Sequence, residues 1–174
     1  MIESKNNQQI RNLLKLKKQS KERKKQKVFL VEGIRMFQEV PKDRVVKAYA
    51  TKSFFDKHEI LFAGVSYELV DDKIFKEISD TVTPQGVLAI VRQKQWKLDE
   101  ILGISSQPCL LILENIQDPG NLGTMIRTGE GAGVTGVIMS RDTVDIYNPK
   151  VIRSTMGSIY RVPFFYAEDL KEVM

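Results

Sequence analysis

The segment Glu-Asn-Ile-Gln-Asp-Pro-Gly-Asn-Leu-Gly-Thr-Met-Ile-Arg-Thr-Gly-Glu-Gly-Ala-Gly, residues 114–133, gathers the side chains best suited to chemistry. Arg127 offers a guanidinium that stays charged, since its pKa lies above about 12, and it can grip a phosphate but is a poor base. Asp118 before Pro119 favours a rigid turn, and Asn121 is a good residue to cap a following helix. Gly123, Gly129 and Gly131 fall inside that helix, where each costs about 1 kcal/mol relative to alanine, so some group must approach the backbone closely. Leu122, Ile126, Gly129 and Gly133 share one face and suit tight packing on a sheet. Gly123 and Arg127, four apart, share another, and that face is the candidate site. Arg127 lies roughly 9 Å along the axis from Asn121, and helical side chains lean toward the N-terminus. Its guanidinium can therefore reach the preceding turn and hold a phosphate there.

The elements that must position this segment alternate along the chain. Ile10, Leu13 and Leu14 give one short helical stripe, and the stretch to Lys27 shows no apolar face, so residues 1–27 are expected to form a basic, loosely packed arm lying against the domain that follows it. Strands are expected at 28–31, 45–50, 67–70 and 86–91. Helices are expected between them over 34–40, ended by Pro41, and around 54–62 and 74–78. This makes an α/β domain over 28–93, followed by a polar linker at 94–107. A second α/β unit occupies 108–174: a buried central strand at 110–113, a helix at 122–132, a strand at 137–139, a helix at 149–156 and a strand near 160–165. Leu170 and Val173 have helical spacing with no stop signal after them, so the chain is expected to end mid-fold. In open parallel sheets ligands bind outside the carboxyl ends of the strands, which is where residues 115–121 should fall.

Charge is distributed unevenly. The chain carries +5 overall, yet residues 1–27 hold ten Lys/Arg against only Glu3 and Glu22, so the remainder is net acidic. Lys15, Lys17, Lys18, Lys21, Arg23, Lys24, Lys25 and Lys27 suit a nucleic-acid backbone, whose neutralised phosphates release counterions. A solvated helical face explains the same charges equally well. No apolar stretch approaches the roughly eighteen residues that cross a bilayer, and the polar N-terminus lacks a signal-peptide core. No membrane partner and a cytoplasmic location are expected. Cys109, the single cysteine, is taken as a core residue, and His58 as a surface one.

At this point a resemblance becomes specific. Asn115, Asp118, Pro119, Asn121, Gly123, Arg127 and Gly133 match, in spacing, the first signature motif of the SpoU (TrmH-like) RNA 2'-O-ribose methyltransferases of the SPOUT superfamily. Residues 148–158, Asn-Pro-Lys-Val-Ile-Arg-Ser-Thr-Met-Gly-Ser, resemble the family's link to its second motif. Phe29 to Gly33 and Thr83 to Val87 are similar to its substrate-binding domain. The resemblance implies an N-terminal ribosomal-protein-like α/β substrate-binding domain, followed by part of a SPOUT (α/β knot) methyltransferase domain. It also implies S-adenosyl-L-methionine as cofactor, rRNA or tRNA as partner, and a homodimer for the complete enzyme, an expectation not extended to this chain. The second and third motifs, which form the knot and hold the cofactor, do not appear. The cofactor-binding residues are expected beyond Met174, the knot region is expected to be missing and the chain to be inactive.

The resemblance often implies the base role for the arginine, but a guanidinium is a poor base at neutral pH. Arg127 is read instead as clamping a phosphate and stabilising the developing alkoxide, with the substrate's phosphate relaying the proton and Asn121 orienting the loop or the ribose. Arg153 and Ser154 either line the site or belong to a helix facing solvent. Other signals are set aside. Gly131-x-Gly133-x-x-Gly136 closes a helix and enters a strand, the reverse of a dinucleotide fingerprint. Asp142 and Asp145 lack the further oxygen ligands a metal needs, so no metal is expected. A non-catalytic RNA-binding module is the competing reading, and a small-molecule-binding α/β protein is a third.

Overall fold

The computed structural model describes residues 1–173 and divides into two compact units, residues 1–93 and 94–174. In the first, α1 (Gln8–Lys18) and α2 (Ser20–Gln26) precede β1 (Val28–Glu32), α3 (Ile34–Glu39), β2 (Val45–Ala50), α4 (Lys52–His58), β3 (Tyr67–Leu69), α5 (Asp72–Ile78) and β4 (Val87–Arg92). The sheet runs in the order β1-β4-β2-β3, with β4 antiparallel to both neighbours and β3 parallel to β2. Strand side chains alternate between faces. One face thus sends Leu30, Tyr49, Leu88 and Ile90 into a core closed by Ile10, Leu13 and Leu16 of α1 and by Ile74, Phe75 and Ile78 of α5.

The N-terminal segment departs from the expected loose arm. Leu16, masked in the sequence by its lysine neighbours, is fully buried beside Ile10 and Leu13. Ile2 pairs with Val70, donating its N–H to the Leu69 carbonyl at 2.7 Å and accepting from the Asp71 N–H at 2.9 Å. Ile2, Ile10, Leu13 and Leu16 are thus part of the first unit's core.

The second unit contains α6 (Leu98–Leu102), β5 (Leu110–Leu113), α7 (Pro119–Gly131), β6 (Gly136–Ser140), α8 (Pro149–Thr155) and β7 (Phe164–Ala167), with 3-10 turns at Ser158–Tyr160 and Leu170–Glu172. All three strands are parallel, in the order β5-β6-β7. The stretch 94–107, expected as a linker, carries α6, whose Ile101 is fully buried. A Cβ at Gly136 would lie 2.3 Å from Ile101 Cγ2, so only glycine lets α6 dock on the start of β6. β5 is an edge strand rather than the expected central one. Ile112 is accordingly 41% exposed, whereas Val137, Ile138 and Met139 of β6 are buried. Cys109 is exposed, not core. The last strand starts at Phe164, later than expected, because Gly157 takes φ +96° and Ser158–Tyr160 forms a turn first. The expected terminal helix shortens to the turn Leu170–Glu172, and Met174 lies outside the described residues.

Candidate functional site

At the carboxyl end of β5 the chain turns through Asn115, whose φ of +52° puts it in the left-handed region that asparagine tolerates better than most residues. Two loops meet here. Asn115 N–H donates to Ser140 Oγ at 2.8 Å, Ile116 N–H to Thr143 Oγ1 at 3.3 Å, and Val144 N–H to the Ile116 carbonyl at 2.8 Å. Gln117 Nε2 donates twice, to Asn115 Oδ1 and to the Asp142 carbonyl, each at 2.7 Å. Below them, Tyr166 accepts from the Ile146 N–H at 2.9 Å and donates to the Val144 carbonyl at 2.7 Å. Burial pushes its phenol well above the ordinary value.

The helix then starts earlier than expected. Asp118, not Asn121, is the N-cap: its Oδ1 accepts from the Asn121 N–H at 2.7 Å, with Pro119 in the first turn where its missing N–H costs nothing. The helix closes at Gly133, φ +82°, with Gly133 N–H donating to the Glu130 carbonyl and Val134 N–H to the Gly129 carbonyl. Gly131, Gly133 and Gly136 therefore span a helix end and a strand start.

Six candidate positions of α7 and its flank now separate by role. Asn115 and Asp118 shape the corner, and Pro119 begins the helix. Gly123 does not face an open site. A Cβ there would lie 2.5 Å from Ser154 Cβ and 2.6 Å from the Val151 carbonyl oxygen, so this glycine brings α7 and α8 into direct contact. Ser154 packs at that contact and spends its hydroxyl on the Lys150 carbonyl at 2.9 Å, while Arg153, on the same helix, is exposed. The exposed face of α7 carries Asn121, Thr124, Arg127 and Thr128. On a helical projection Arg127 lies at the edge of that face, adjoining Gly123 and hence α8. Among the described residues the side chains of Asn121 and Arg127 have no hydrogen-bond or ion-pair partner. An amide, a hydroxyl and a charged guanidinium along one open helical face suit a hydroxylic, anionic substrate.

Sequence reasoning passed over several residues that build this region. Gln117, Ser140 and Thr143 stitch the two loops, and Glu130 ties α7 to the turn after α8. Glu130 accepts from Ser158 Oγ at 2.6 Å and from Arg161 through both Nε and Nη2, the latter at 3.1 Å. The Arg161 hydrogen bonding, helped by Ser158 and opposed by partial burial, holds the Glu130 carboxyl below the ordinary 4.5. Their cross-linking partners lie some twenty-five or more residues away along the chain, so no local spacing announces them.

The basic residues of the first unit are divided as well. Arg23 is 2% exposed and donates to the Leu16 carbonyl at 2.8 Å, so it is structural and withdrawn from RNA contact. Lys17 donates to the Ser79 carbonyl and lies 3.6 Å from Asp80. Lys15, Lys18, Lys21, Lys24, Lys25 and Lys27 are exposed, and their ammonium groups have no partner among the described residues.

Comparison with known proteins identifies the family. Residues 7–89 match the model of the MRM3-like substrate binding domain, and residues 108–174 that of the SpoU rRNA Methylase family. The chain is 33% identical over 177 residues to the 23S rRNA (guanosine(2553)-2'-O)-methyltransferase RlmP of Bacillus subtilis, covering 98% of this chain and 68% of that protein. An rRNA methyltransferase from Sinorhizobium meliloti superposes with a TM-score of 0.84 at 26% identity, over 99% of this chain and 66% of that one. The AdoMet-bound form of the S. meliloti rRNA methyltransferase gives 0.82 at 26% identity, over 95% and 64%. This chain thus spans about two thirds of the length of each.

These matches correct the expectation of a methyltransferase domain lacking its knot and of an inactive chain. The likeness to an AdoMet-bound family structure runs through 95% of this chain, and the methylase model covers all of 108–174.

Proposed function

The chain belongs to the SpoU rRNA methylase family, and from that premise we propose that it acts in the S-adenosylmethionine-dependent 2'-O-methylation of a ribose in rRNA or tRNA. The observation that carries the proposal is Arg127: an exposed guanidinium with no partner among the described residues, on the helix that leaves the mouth of a parallel sheet. A solvent-facing guanidinium at that place is available to an anion that comes from outside. The RNA phosphodiester flanking the reactive ribose is that anion.

The cofactor, when bound, supplies an electrophilic methyl group. The protein's own residues do the rest. Arg127 grips the phosphate with two parallel N–H donors and so fixes the ribose beside it, a geometry lysine cannot reproduce. As the O–CH3 bond forms and the cofactor's S–CH3 bond breaks to leave a neutral thioether, the 2'-hydroxyl would lose its proton to the phosphate, and the guanidinium would stabilise the negative charge building on oxygen. Asn121, two turns nearer the corner, orients the ribose through its free amide. The six exposed lysines of α1, α2 and the turn after them track the RNA backbone, and binding weakens as salt rises. Homodimerisation of the complete enzyme and cytoplasmic residence belong to the same proposal.

Incubating the complete protein with ribosomal and transfer RNA and methyl-labelled cofactor tests it. Label recovered as a 2'-O-methylribose at a defined nucleotide is the expected result. Label on a base, or none in any RNA, overturns it.

A further inference from the structure

Beyond Arg127 and Asn121, and resting on the methyl-transfer reading above, we propose that Gln117 is a positioning residue for the reaction, acting as a two-pronged brace across the mouth of the parallel sheet. Its side-chain amide nitrogen spends both hydrogens inside the protein, on Asn115 Oδ1 within its own loop and on the Asp142 carbonyl of the loop after β6, both at 2.7 Å. Gln117 itself is exposed. Immobilising an exposed glutamine costs up to about 2 kcal/mol of side-chain freedom, and its two exposed hydrogen bonds together return about 1–3 kcal/mol, so the two nearly cancel. The brace therefore adds little to overall stability. What it fixes is the position of one backbone segment.

That segment leads directly into the helix bearing the site. Asn115 holds a left-handed φ of +52°, and three residues later Asp118 caps the helix that presents Asn121 and Arg127. The other cross-links between the loops, Asn115 N–H to Ser140 Oγ, Ile116 N–H to Thr143 Oγ1 and Val144 N–H to the Ile116 carbonyl, reach no further than Ile116. Gln117 supplies the last cross-link before the cap. Without it, residues 117 and 118 are tied to the β6 loop only through Ile116, and the start of α7 gains freedom. Misplacement of reacting groups by about 1 Å can cost on the order of a hundredfold in rate.

Four variants of the complete protein test the brace. Gln117→Ala lowers kcat by about ten- to a hundredfold, with KM for RNA and for cofactor within about twofold. Gln117→Glu, which turns two acceptors toward the Asn115 and Asp142 oxygens, loses at least as much. Asn115→Gly is the discriminating change. Glycine adopts the left-handed backbone without strain, so a purely conformational role for Asn115 predicts no loss, whereas a brace missing its acceptor predicts a drop like that of Gln117→Ala. Asn115→Asp keeps the acceptor and loses less than Asn115→Gly.

Amide hydrogen exchange reads the same brace without needing turnover: Gln117→Ala accelerates exchange at residues 116–121 about tenfold or more while the sheet strands keep their protection. Unchanged exchange there, or full kcat in Gln117→Ala or Asn115→Gly, overturns the brace. A wild-type protein that labels no RNA instead sinks the methyl-transfer reading, and the exchange measurement still decides on the brace.

Discussion

Gly123 of α7 lies so close to Ser154 of α8 that a methyl group on Gly123 would sit 2.5 Å from the serine Cβ. The Val151 carbonyl oxygen, 2.6 Å from the same point, closes the other side. Gly123→Ala therefore destabilises the protein by about 1–3 kcal/mol through overpacking, even though alanine alone would favour the helix by about 1 kcal/mol. Urea unfolding measures it. Adding Ser154→Gly recovers only part of the loss, since the carbonyl remains in place.

Asp118 caps α7 in the place the sequence suggests for Asn121. Asp118→Ala removes the acceptor for the Asn121 N–H and lowers stability by about 0.5–2 kcal/mol, whereas Asp118→Asn, which keeps an oxygen there, loses less. Thermal denaturation of the two variants side by side separates the cap from any wider effect of charge.

The Glu130 carboxyl, held low chiefly by Arg161, links stability to acid pH. Because its folded value lies below the ordinary 4.5, the unfolded chain takes up the proton first. Its contribution is complete above that value and is lost as pH falls through the lower folded one. Glu130→Gln flattens the dependence of unfolding free energy on pH in that acid window and leaves the slope nearer neutrality unchanged. Denaturant titrations across the window, on wild type and variant, provide the check.

Arg23 and its lysine neighbours respond to different measurements. Arg23→Gln leaves the Leu16 carbonyl without its buried donor and costs about 1–3 kcal/mol of stability. Replacing Lys18, Lys21 and Lys25 together by glutamine leaves stability within about 0.5 kcal/mol. It weakens RNA binding, and it reduces the steepness with which affinity falls with salt by about one for each phosphate no longer neutralised.

Much of this architecture was legible from apolar runs bounded by breakers. Val45–Ala50 and Leu110–Leu113 are strands over the residues expected, and the helices before Pro41 and from Pro149 fall where proline directs them. Pattern fails where partners are distant. Nothing near Leu16 or Arg23 announces that both are buried, since each sits among lysines. Ile112 looks as apolar as any central-strand residue, and only the order β5-β6-β7 places it at an edge. Spacing alone assigned Gly123 to the face of Arg127, whereas its partner is a helix some thirty residues further on. At the corner, Asn121 and Asp118 are both competent caps, and Pro119 tips the choice by starting the helix at once. The site residues Asn121 and Arg127 were visible because their types and spacing stand out within the motif. Gln117 is defined by what its amide touches, which no spacing reveals.

The most direct test of the guanidinium clamp is the single-turnover rate of methyl transfer to the RNA target by the complete protein, comparing wild type with Arg127→Lys. A lysine keeps the charge but loses the forked geometry, and the account predicts a fall of about a hundredfold or more at saturating RNA and cofactor. A rate for Arg127→Lys close to wild type would contradict it.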